Sequence, residues 1–287
     1  MSRIIYVNGR YVPYGEAAIH AEDRGFQFAD SVYEVIEVLG GRLVDAPRHL
    51  ARLDRSLGEL GIAPPMSRAA LAQVIARTIH LNHVRHGTVY LQVSRGAGPR
   101  DFTLPPQGTP PTLVVIARSQ SQAKIEALAH AGIAVVTMPD IRWGRSDIKS
   151  VMLLPACLAK NAARSQGARE AWLVDGDGNV TEGASSNAWI VTADKRLVTR
   201  PLSTRILAGV TRATTIDVAK REGFQLQERA FTVAEAHKAT EAFITSATNT
   251  VMPVVRIDDI AIGNGRPGPL TMSLRARFHD VAAISSK

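Results

Sequence analysis

A lysine lies immediately before an apolar run in the segment RSDIKSVMLLPACLAKN, residues 145–161. An unpaired ammonium group is unfavourable in apolar surroundings, so such a lysine is expected to be paired, neutralised or used chemically. Desolvation or a neighbouring cation lowers the pKa of an amine, and the neutral amine is a nucleophile that forms Schiff bases. The alternative is a surface lysine whose ammonium group reaches water. Lys149 is therefore a candidate nucleophile.

A second candidate group is the carboxylate of Glu182, in the segment GNVTEGASSN. The sequence places it after a strand and before small residues, which allow another group to approach the backbone closely. A buried carboxylate needs a cationic partner, and a protonated ring nitrogen is one such partner. The alternative is an ordinary glutamate in a turn.

Two further features are suited to binding an anion. The segment LAGVTR begins a predicted helix, where backbone N–H groups lack helical partners and the helix dipole attracts negative charge. Thr211 adds a hydroxyl there, although it could simply be a helix-capping residue. Arg52 falls on a predicted helix face opposite a leucine stripe, together with Arg48 and Arg55. For Arg48 and Arg55 we retain the alternative of a solvated basic face.

Composition limits the class of protein. A chain of 287 residues suits two ordinary domains or one large one, and 45% hydrophobic residues are enough for real cores. No apolar run approaches the roughly 20 residues of a membrane span. The N-terminus lacks the apolar segment of a signal peptide and is interpreted as mature sequence. The single cysteine, Cys157, cannot form an intramolecular disulfide, which favours a reducing, cytoplasmic setting.

The net charge of +8 raises the possibility of nucleic-acid binding. However, the basic residues are scattered among acidic ones, without a dense basic run, zinc-ligand spacing or aromatic residues interleaved with basic ones. The surplus charge could serve acidic small molecules or form a generally basic surface. A non-enzymatic nucleic-acid-binding protein stays open on charge alone.

The first half of the chain predicts strands followed by two helices and two more strands. Asn8-Gly9 between short apolar runs is a strong hairpin signal. The next strand should place four residues on one face, namely Val32, Glu34, Ile36 and Val38. A helix then begins with Asp45 as its N-cap and ends at Gly61. Its apolar stripe comprises Leu50, Leu53, Leu57 and Leu60.

The polar segment 119–126 is the predicted linker between domains 1–118 and 127–287. The second half predicts several strands and helices, including a helix from GVTRATTIDVAKREG and a helical tail from about Leu270. A G-x-G-x-x-G motif after a strand and a Walker loop are both missing from the sequence, which disfavours nucleotide folds of those kinds.

The motifs DIKS, TEGASSN and ILAGVTR, preceded by EDRGFQFADSVYEV and HLARL, resemble those of the fold-type-IV pyridoxal-phosphate enzymes. They occur in the family's order and spacing. The family contains D-amino-acid, branched-chain and (R)-selective amine aminotransferases and 4-amino-4-deoxychorismate lyases. The segments EDRGFQFADSVYEV, SRGAGPRD and IRWGRSDIKS are most similar to the D-amino-acid group. The resemblance implies an α/β (α+β) fold, with a smaller N-terminal α/β domain and a larger C-terminal mixed-strand pseudo-barrel domain.

The resemblance also implies roles for individual residues around pyridoxal 5'-phosphate. Lys149 would hold the cofactor as a Schiff base and move a proton between the substrate's Cα and the cofactor's C4′ carbon. Glu182 would pair with the ring nitrogen, and Leu207 would pack on the ring face. Tyr33 would lie in the active site, near the cofactor's oxygen side or the substrate carboxylate. The phosphate would be bound by Arg52, Val210, Thr211, Ser246, Ala247 and Thr248, with Ala247 offering only its N–H where the family often has a hydroxyl.

One departure from the family concerns the substrate carboxylate. In D-amino-acid aminotransferases an arginine, a histidine and a tyrosine bind it; here Arg100 and Tyr33 are present, but Phe102 stands at the histidine position. The predicted reaction transfers the amino group of a D-amino acid to a 2-oxo acid. An (R)-selective amine or branched-chain-type enzyme is the alternative that Phe102 favours, and the lyase is a weaker one. The resemblance implies a homodimer, and we expect no metal, nucleic acid or membrane partner.

Overall fold

The computed structural model describes residues 3–285, so the predicted domain ends at residues 1 and 287 lie outside the described residues. Internal contacts divide the chain into two units. Within the described residues, unit 1 runs to Ser121 and also includes Ile148–Met152 and the segment from Ala283. Unit 2 comprises Gln122–Asp147 and Leu153–Ala282.

Unit 1 is built on an antiparallel six-stranded sheet. Its strands are β1 (Ile4–Val7), β2 (Arg10–Pro13), β3 (Ser31–Leu39), β4 (Arg42–Leu43), β5 (His86–Ser94) and β6 (Thr112–Ser119). Its helices are α1 (Arg24–Phe28), α2 (Ala46–Leu60) and α3 (Arg68–Leu81). The strand order is β2-β1-β6-β5-β3-β4. Because α2 follows β3 and β4 directly and packs on β3, residues of these elements meet at close range.

Local sequence signals account for most of unit 1. The predicted hairpin is confirmed, and its turn residues Asn8 and Gly9 both have positive φ. The alternation along β3 is confirmed as well, since Val32, Glu34, Ile36 and Val38 are all buried. The helix ends at Gly61 as predicted, with Gly61 in the left-handed conformation. Asp45 is the N-cap residue as predicted, but its side chain does not cap the helix, and its carboxylate instead accepts a 2.9 Å hydrogen bond from the N–H of Ala283.

Unit 2 is built on a mixed nine-stranded sheet. Its strands are β7 (Ile133–Pro139), β8 (Glu170–Val174), β9 (Val180–Gly183), β10 (Asn187–Val191), β11 (Leu197–Thr199), β12 (Leu226–Glu228), β13 (Glu241–Ser246), β14 (Thr250–Ile257) and β15 (Ile260–Ala261). Its helices are α4 (Gln122–Ala131), α5 (Leu154–Ser165), α6 (Val210–Arg221), α7 (Val233–His237) and α8 (Pro269–Val281). The strand order is β12-β11-β10-β13-β14-β7-β8-β9, and β15 pairs with β14.

The connection from β9 to β10 requires the sheet of unit 2 to curl. β9 stands at one end of the strand order and β10 lies well inside it. Yet the two strands are joined by residues 184–186 alone, and the N–H of Gly183 donates to the carbonyl of Ser186 at 2.7 Å. A flat sheet would separate these strands by several strand spacings of about 4.8 Å. The resulting half-barrel agrees with the pseudo-barrel predicted for the C-terminal domain.

The two units meet after Ser121, inside the segment predicted as a linker, but this segment is not an irregular connection. Strand β6 continues to Ser119 and α4 begins at Gln122, so most of segment 119–126 is regular structure. Helix α4 begins with polar residues, so its apolar pattern is weak in the sequence. Its apolar residues Ile125, Leu128 and Ala129 pack in the core of unit 2. None of the helices in residues 3–285 combines the length and apolar character needed to cross a membrane.

Candidate active site

Backbone pairing with β3 positions the candidate nucleophile Lys149. The N–H of Tyr33 donates to the carbonyl of Lys149, and the N–H of Val151 donates to the carbonyl of Ser31, both at 3.0 Å. The lysine side chain is half-buried, and its Nζ lies 4.1 Å from the centroid of the Tyr33 ring. The short segment around Lys149 therefore belongs to unit 1 and places the amine beside the predicted active-site tyrosine.

A fully buried carboxylate lies next to this tyrosine on β3. Glu34 accepts hydrogen bonds at 2.7 Å from Nε and Nη2 of Arg52 and from Nδ1 of His49. Burial alone raises the pKa of the Glu34 carboxyl, but the charge and hydrogen bonds of Arg52, with the hydrogen bond of His49, bring that pKa down to about 2. Burial, together with the charges of Arg52 and Lys149, lowers the pKa of His49 despite its hydrogen bond to Glu34. Glu34 is therefore ionised, and it holds the Arg52 side chain in one orientation.

The three arginines of α2 do not share one environment, which corrects their grouping on one face. Arg48 and Arg55 are exposed, and Arg55 makes a surface ion pair with Glu59. Arg52 is turned inward by Glu34, with its side chain 9% exposed. The alternative of a solvated face thus fits Arg48 and Arg55 and does not fit Arg52.

Arg100 and Phe102 lie together on an exposed loop of unit 1. The Phe102 side chain is 82% exposed, and its ring meets that of Phe28 edge-on at 5.7 Å between centroids. The Arg100 guanidinium lies 5.3 Å from the Phe28 centroid and 5.8 Å from that of Phe102. The ring neighbour of Tyr33 is instead Tyr90, at 5.6 Å. The loop is therefore accessible, and its ring contacts are not with Tyr33.

In unit 2, Glu182 is a buried residue of β9, and its prediction as a residue after a strand is wrong. The carboxylate accepts hydrogen bonds from Nη1 of Arg142 at 2.5 Å, from Nδ2 of Asn187 at 2.9 Å and from the N–H of Leu207 at 3.1 Å. These donors fix both carboxylate oxygens and bring Leu207 next to Glu182. The turn-glutamate alternative does not apply, because Glu182 is only 4% exposed.

Arg142 is shared between two carboxylates. Its Nε and Nη2 also donate to Asp140, at 2.9 and 2.8 Å. Burial raises the pKa of Asp140, but the hydrogen bond and charge of Arg142 outweigh that effect and lower it. The Arg142 guanidinium therefore bridges Asp140 and Glu182 and helps to fix the direction of the Glu182 carboxylate. A carboxylate held in this way is suited to face a cationic group.

The start of α6 has the features of an anion site. Gly209 is the N-cap residue in an extended conformation, and as a glycine it has no side chain that could cap this end. The first helical residues are Val210 and Thr211, both buried. A Cβ at position 209 would lie 2.0 Å from Oδ1 of Asn187, so only glycine allows this close approach. The N–H groups of the first turn are therefore suited to an anionic ligand.

The hairpin between β13 and β14 gathers the remaining predicted phosphate-binding residues. The hydroxyls of Ser246 and Thr248 lie 3.2 Å apart, and Nδ2 of Asn249 donates to both of them at 3.4 and 3.2 Å. Ser246, Ala247 and Thr248 are all half-buried. The turn thus presents hydroxyl groups from one short segment.

Sequence reasoning missed four side chains that hold these groups in place: Glu34, His49, Arg142 and Asn187. A signal existed for Glu34, because a charged residue on the apolar face of β3 implies a buried partner. Arg142 and Asn187 stood inside the quoted motifs IRWGRSDIKS and TEGASSN without an assigned role. Groups of three or more His, Cys, Asp or Glu side chains that could hold a metal ion do not occur in the described part of the chain.

Comparison with known proteins identifies the class of protein to which this chain belongs. The profile of the family described as amino-transferase class IV matches residues 31–257. The chain belongs to this family, which confirms the family predicted from the motifs.

Particular relatives extend the similarity to nearly the whole chain. The D-alanine aminotransferase of Bacillus licheniformis is 39% identical over 280 residues, covering 96% of this chain and 96% of the relative. The D-alanine aminotransferase of Listeria innocua serovar 6a is 37% identical over 275 residues, covering 96% and 94%. Among solved structures, a T.th. branched-chain amino acid aminotransferase with pyridoxamine 5'-phosphate superimposes with a TM-score of 0.88 at 26% identity, covering 98% and 94%.

Proposed function

We propose that this chain is a pyridoxal-5'-phosphate-dependent aminotransferase that moves the amino group of a D-amino acid to a 2-oxo acid. The observation that carries the proposal is the full-length similarity to proteins named D-alanine aminotransferase. Each unit contains features that suit this reaction class. Unit 1 has a lysine positioned by backbone pairing, and unit 2 has a buried carboxylate and a helix whose N-cap residue is a glycine.

The residues present fit the cofactor. Lys149 would bind it covalently, and Glu182, whose carboxylate is buried and held by Arg142, would pair with its ring nitrogen. Leu207, whose N–H already contacts Glu182, would pack on the ring. The phosphate would be held by Arg52, the start of α6 at Val210 and Thr211, and the turn Ser246–Ala247–Thr248.

When bound, pyridoxal phosphate supplies an aldehyde that takes up the amino group and a ring that accepts the electron pair released at the substrate's Cα. The amine of Lys149 takes the proton from Cα, acting as the general base. Glu182, oriented by hydrogen bonds from Arg142, Asn187 and Leu207, would stabilise positive charge at the ring nitrogen. Arg100 and Tyr33 bind the substrate carboxylate, which sets the orientation of the Cα–H bond.

Half-reaction spectroscopy tests the proposal. The purified protein should be yellow when loaded with cofactor, and D-amino acids should bleach that absorption faster than their L-enantiomers. A panel that adds (R)- and (S)-amines distinguishes an (R)-selective amine enzyme from one that requires a carboxylate. A colourless protein that takes up no cofactor would contradict the proposal, and bleaching by L-amino acids alone would contradict the substrate class.

The phosphate role of Arg52 can be measured against its neighbour on α2. Arg52→Ala should raise the dissociation constant of pyridoxal phosphate about tenfold to a hundredfold, because a hydrogen bond to a charged group contributes about 1.5–3 kcal/mol. Arg55→Ala is the control and should leave the constant within about twofold, since exposed ion pairs contribute little. The measurement is an absorbance titration of the apoenzyme.

Arg52→Ala also leaves Glu34 buried without its guanidinium, so a loss of stability is expected too. Titration with pyridoxal, which lacks the phosphate, separates the two effects. Equal losses of affinity for both ligands would mean that Arg52 supports the fold and does not bind phosphate.

Phe102 determines how tightly the substrate carboxylate is bound. Phe102→His should raise kcat/KM for D-alanine about tenfold or more, because the imidazole adds a hydrogen-bond donor beside Arg100. Activity on an (R)-amine without a carboxylate should stay level or fall. Leu104→His is a matched control, since Leu104 is an exposed apolar residue of the same loop. If neither substrate responds to Phe102→His, Phe102 lies outside the carboxylate site.

The apolar, exposed Phe102 also favours the second candidate, an (R)-selective amine or branched-chain-type aminotransferase. The substrates of either enzyme are an amino donor and a 2-oxo acid. We further propose a cytoplasmic homodimer, supported by the single cysteine and by exposed Leu154 and Leu158, which lie one turn apart on α5. Light scattering during size-exclusion chromatography tests the oligomeric state.

A further inference from the structure

The turn that joins β13 to β14 contains a strained residue. Ser246 and Thr250 pair across the hairpin, and Thr250 has a φ of 53°. The left-handed region is unfavourable for a β-branched residue, because its Cβ comes too close to the following carbonyl oxygen. Such a conformation persists only where the surroundings over-determine it, and it often marks a functional site.

A buried arginine from the C-terminal helix supports this residue. Arg275 of α8 is 9% exposed. Its Nη1 donates to the carbonyl of Asn249 at 2.7 Å, to Oγ1 of Thr250 at 2.8 Å and to the carbonyl of Val251 at 2.7 Å. These three acceptors lie at the strained residue and on either side of it. The guanidinium therefore holds the backbone of the turn at its most unfavourable point.

The other side of the same guanidinium is anchored to α4. Nε and Nη2 of Arg275 donate to the two carboxylate oxygens of Glu126, at 3.1 and 2.6 Å. Because the guanidinium group is planar and its donors have a fixed geometry, this pairing fixes the direction of Nη1. The turn is thus connected through Arg275 to two helices, α8 and α4.

We propose that Arg275 is a positioning residue for the cofactor phosphate, acting through the turn that carries Ser246, Ala247 and Thr248. This inference rests on the proposed function, because that function assigns the turn to the phosphate. Donors in a binding site must be held to within about 0.5 Å, and their supporting residues provide that precision. Arg275 acts on the backbone of Asn249 and Val251, so its effect reaches the phosphate only through the position of the turn.

The test compares two ligands that differ only in the phosphate. Apoenzyme is titrated with pyridoxal phosphate and with pyridoxal. In Arg275→Met the dissociation constant for pyridoxal phosphate should rise about tenfold or more, the magnitude of one lost charge-assisted hydrogen bond. The constant for pyridoxal should change less than about threefold, because its ring and aldehyde contacts do not involve the turn.

Leu274→Ala on the same helix is the matched control. Leu274 is fully buried, so its truncation leaves a cavity against α8 and destabilises the fold without removing a hydrogen bond from the turn. It should leave the ratio of the two dissociation constants unchanged. If Arg275→Met also leaves this ratio unchanged, or if Leu274→Ala changes it equally, the positioning role is wrong.

A second pair of variants tests the proposal even if Arg275→Met does not fold. Glycine adopts a positive φ without strain, so Thr250→Gly should reduce the dependence of the turn on Arg275. Arg275→Lys should therefore weaken pyridoxal phosphate binding more in the parent chain than in the Thr250→Gly chain. Additive effects would contradict the proposal. A parent chain that binds both ligands equally would instead contradict the phosphate site of the proposed function.

Discussion

Lys149→Ala is expected to abolish transamination, with a fall in turnover of at least about 10³-fold, because proton transfer by a positioned base alone contributes about 10²–10⁴-fold. The variant would lose the amine to which we assign both cofactor binding and removal of the proton from Cα. The fold should persist, since backbone hydrogen bonds to Tyr33 and Ser31 hold this segment. The measurement is steady-state kinetics with D-alanine, together with the melting temperature.

Borohydride reduction of the loaded protein identifies the lysine directly. Peptide mapping should find the cofactor on Lys149. Lys160→Ala is the matched control, because Lys160 is a nearby lysine that already contacts Glu170 and Ser185. The control should retain activity and labelling. A label on Lys160, or an active Lys149→Ala variant, would contradict the assignment.

Glu182→Gln is expected to lower kcat on the order of 10²-fold or more while the protein stays folded, since removal of one preorganised electrostatic group has that magnitude. Glutamine keeps the shape of the side chain and can still accept from the N–H of Leu207. It removes the negative charge that would stabilise the protonated ring nitrogen. The absorption spectrum of bound cofactor and the rate of the D-alanine half-reaction are the measurements.

Asp140→Asn provides the comparison within the same cluster. It also removes one negative charge beside Arg142, but from a carboxylate to which no contact with the ring is assigned. Its effect on kcat should be clearly smaller than that of Glu182→Gln. If both variants lose the same factor in kcat, then the net charge of the cluster controls the rate, and Glu182 has no direct contact with the ring. If Glu182→Gln turns over at the native rate, the electronic role is wrong.

Local patterns in the sequence were sufficient to predict much of the secondary structure of unit 1 and the protein family. The Asn8-Gly9 turn, the alternation of β3 and the stop of α2 at Gly61 depend on residues close in the chain, so their conformations can be inferred without tertiary contacts. The motifs around Lys149 and Glu182 were sufficient to predict the class of enzyme, and the comparisons confirmed it. The roles of the individual site residues stay predictions.

Short buried elements could not be inferred in the same way. Every residue of β9 is buried, so the strand shows no alternation, and Glu182 was placed outside a strand. The apolar positions of α4 are few and follow a polar start, so the helix was interpreted as part of a linker. In both cases the conformation depends on packing partners that are distant in the sequence.

Only the tertiary structure decided which charged side chains are buried together. On α2 the residue types of Arg48, Arg52 and Arg55 are identical, and the inward carboxylate of Glu34 is what separates Arg52 from the other two. Arg275 had no local signal at all, because its acceptors at Asn249, Thr250 and Val251 are backbone and hydroxyl oxygens about 25 residues earlier in the chain. A buried charge is stable only where its partners are assembled around it, and folding alone brings these partners together.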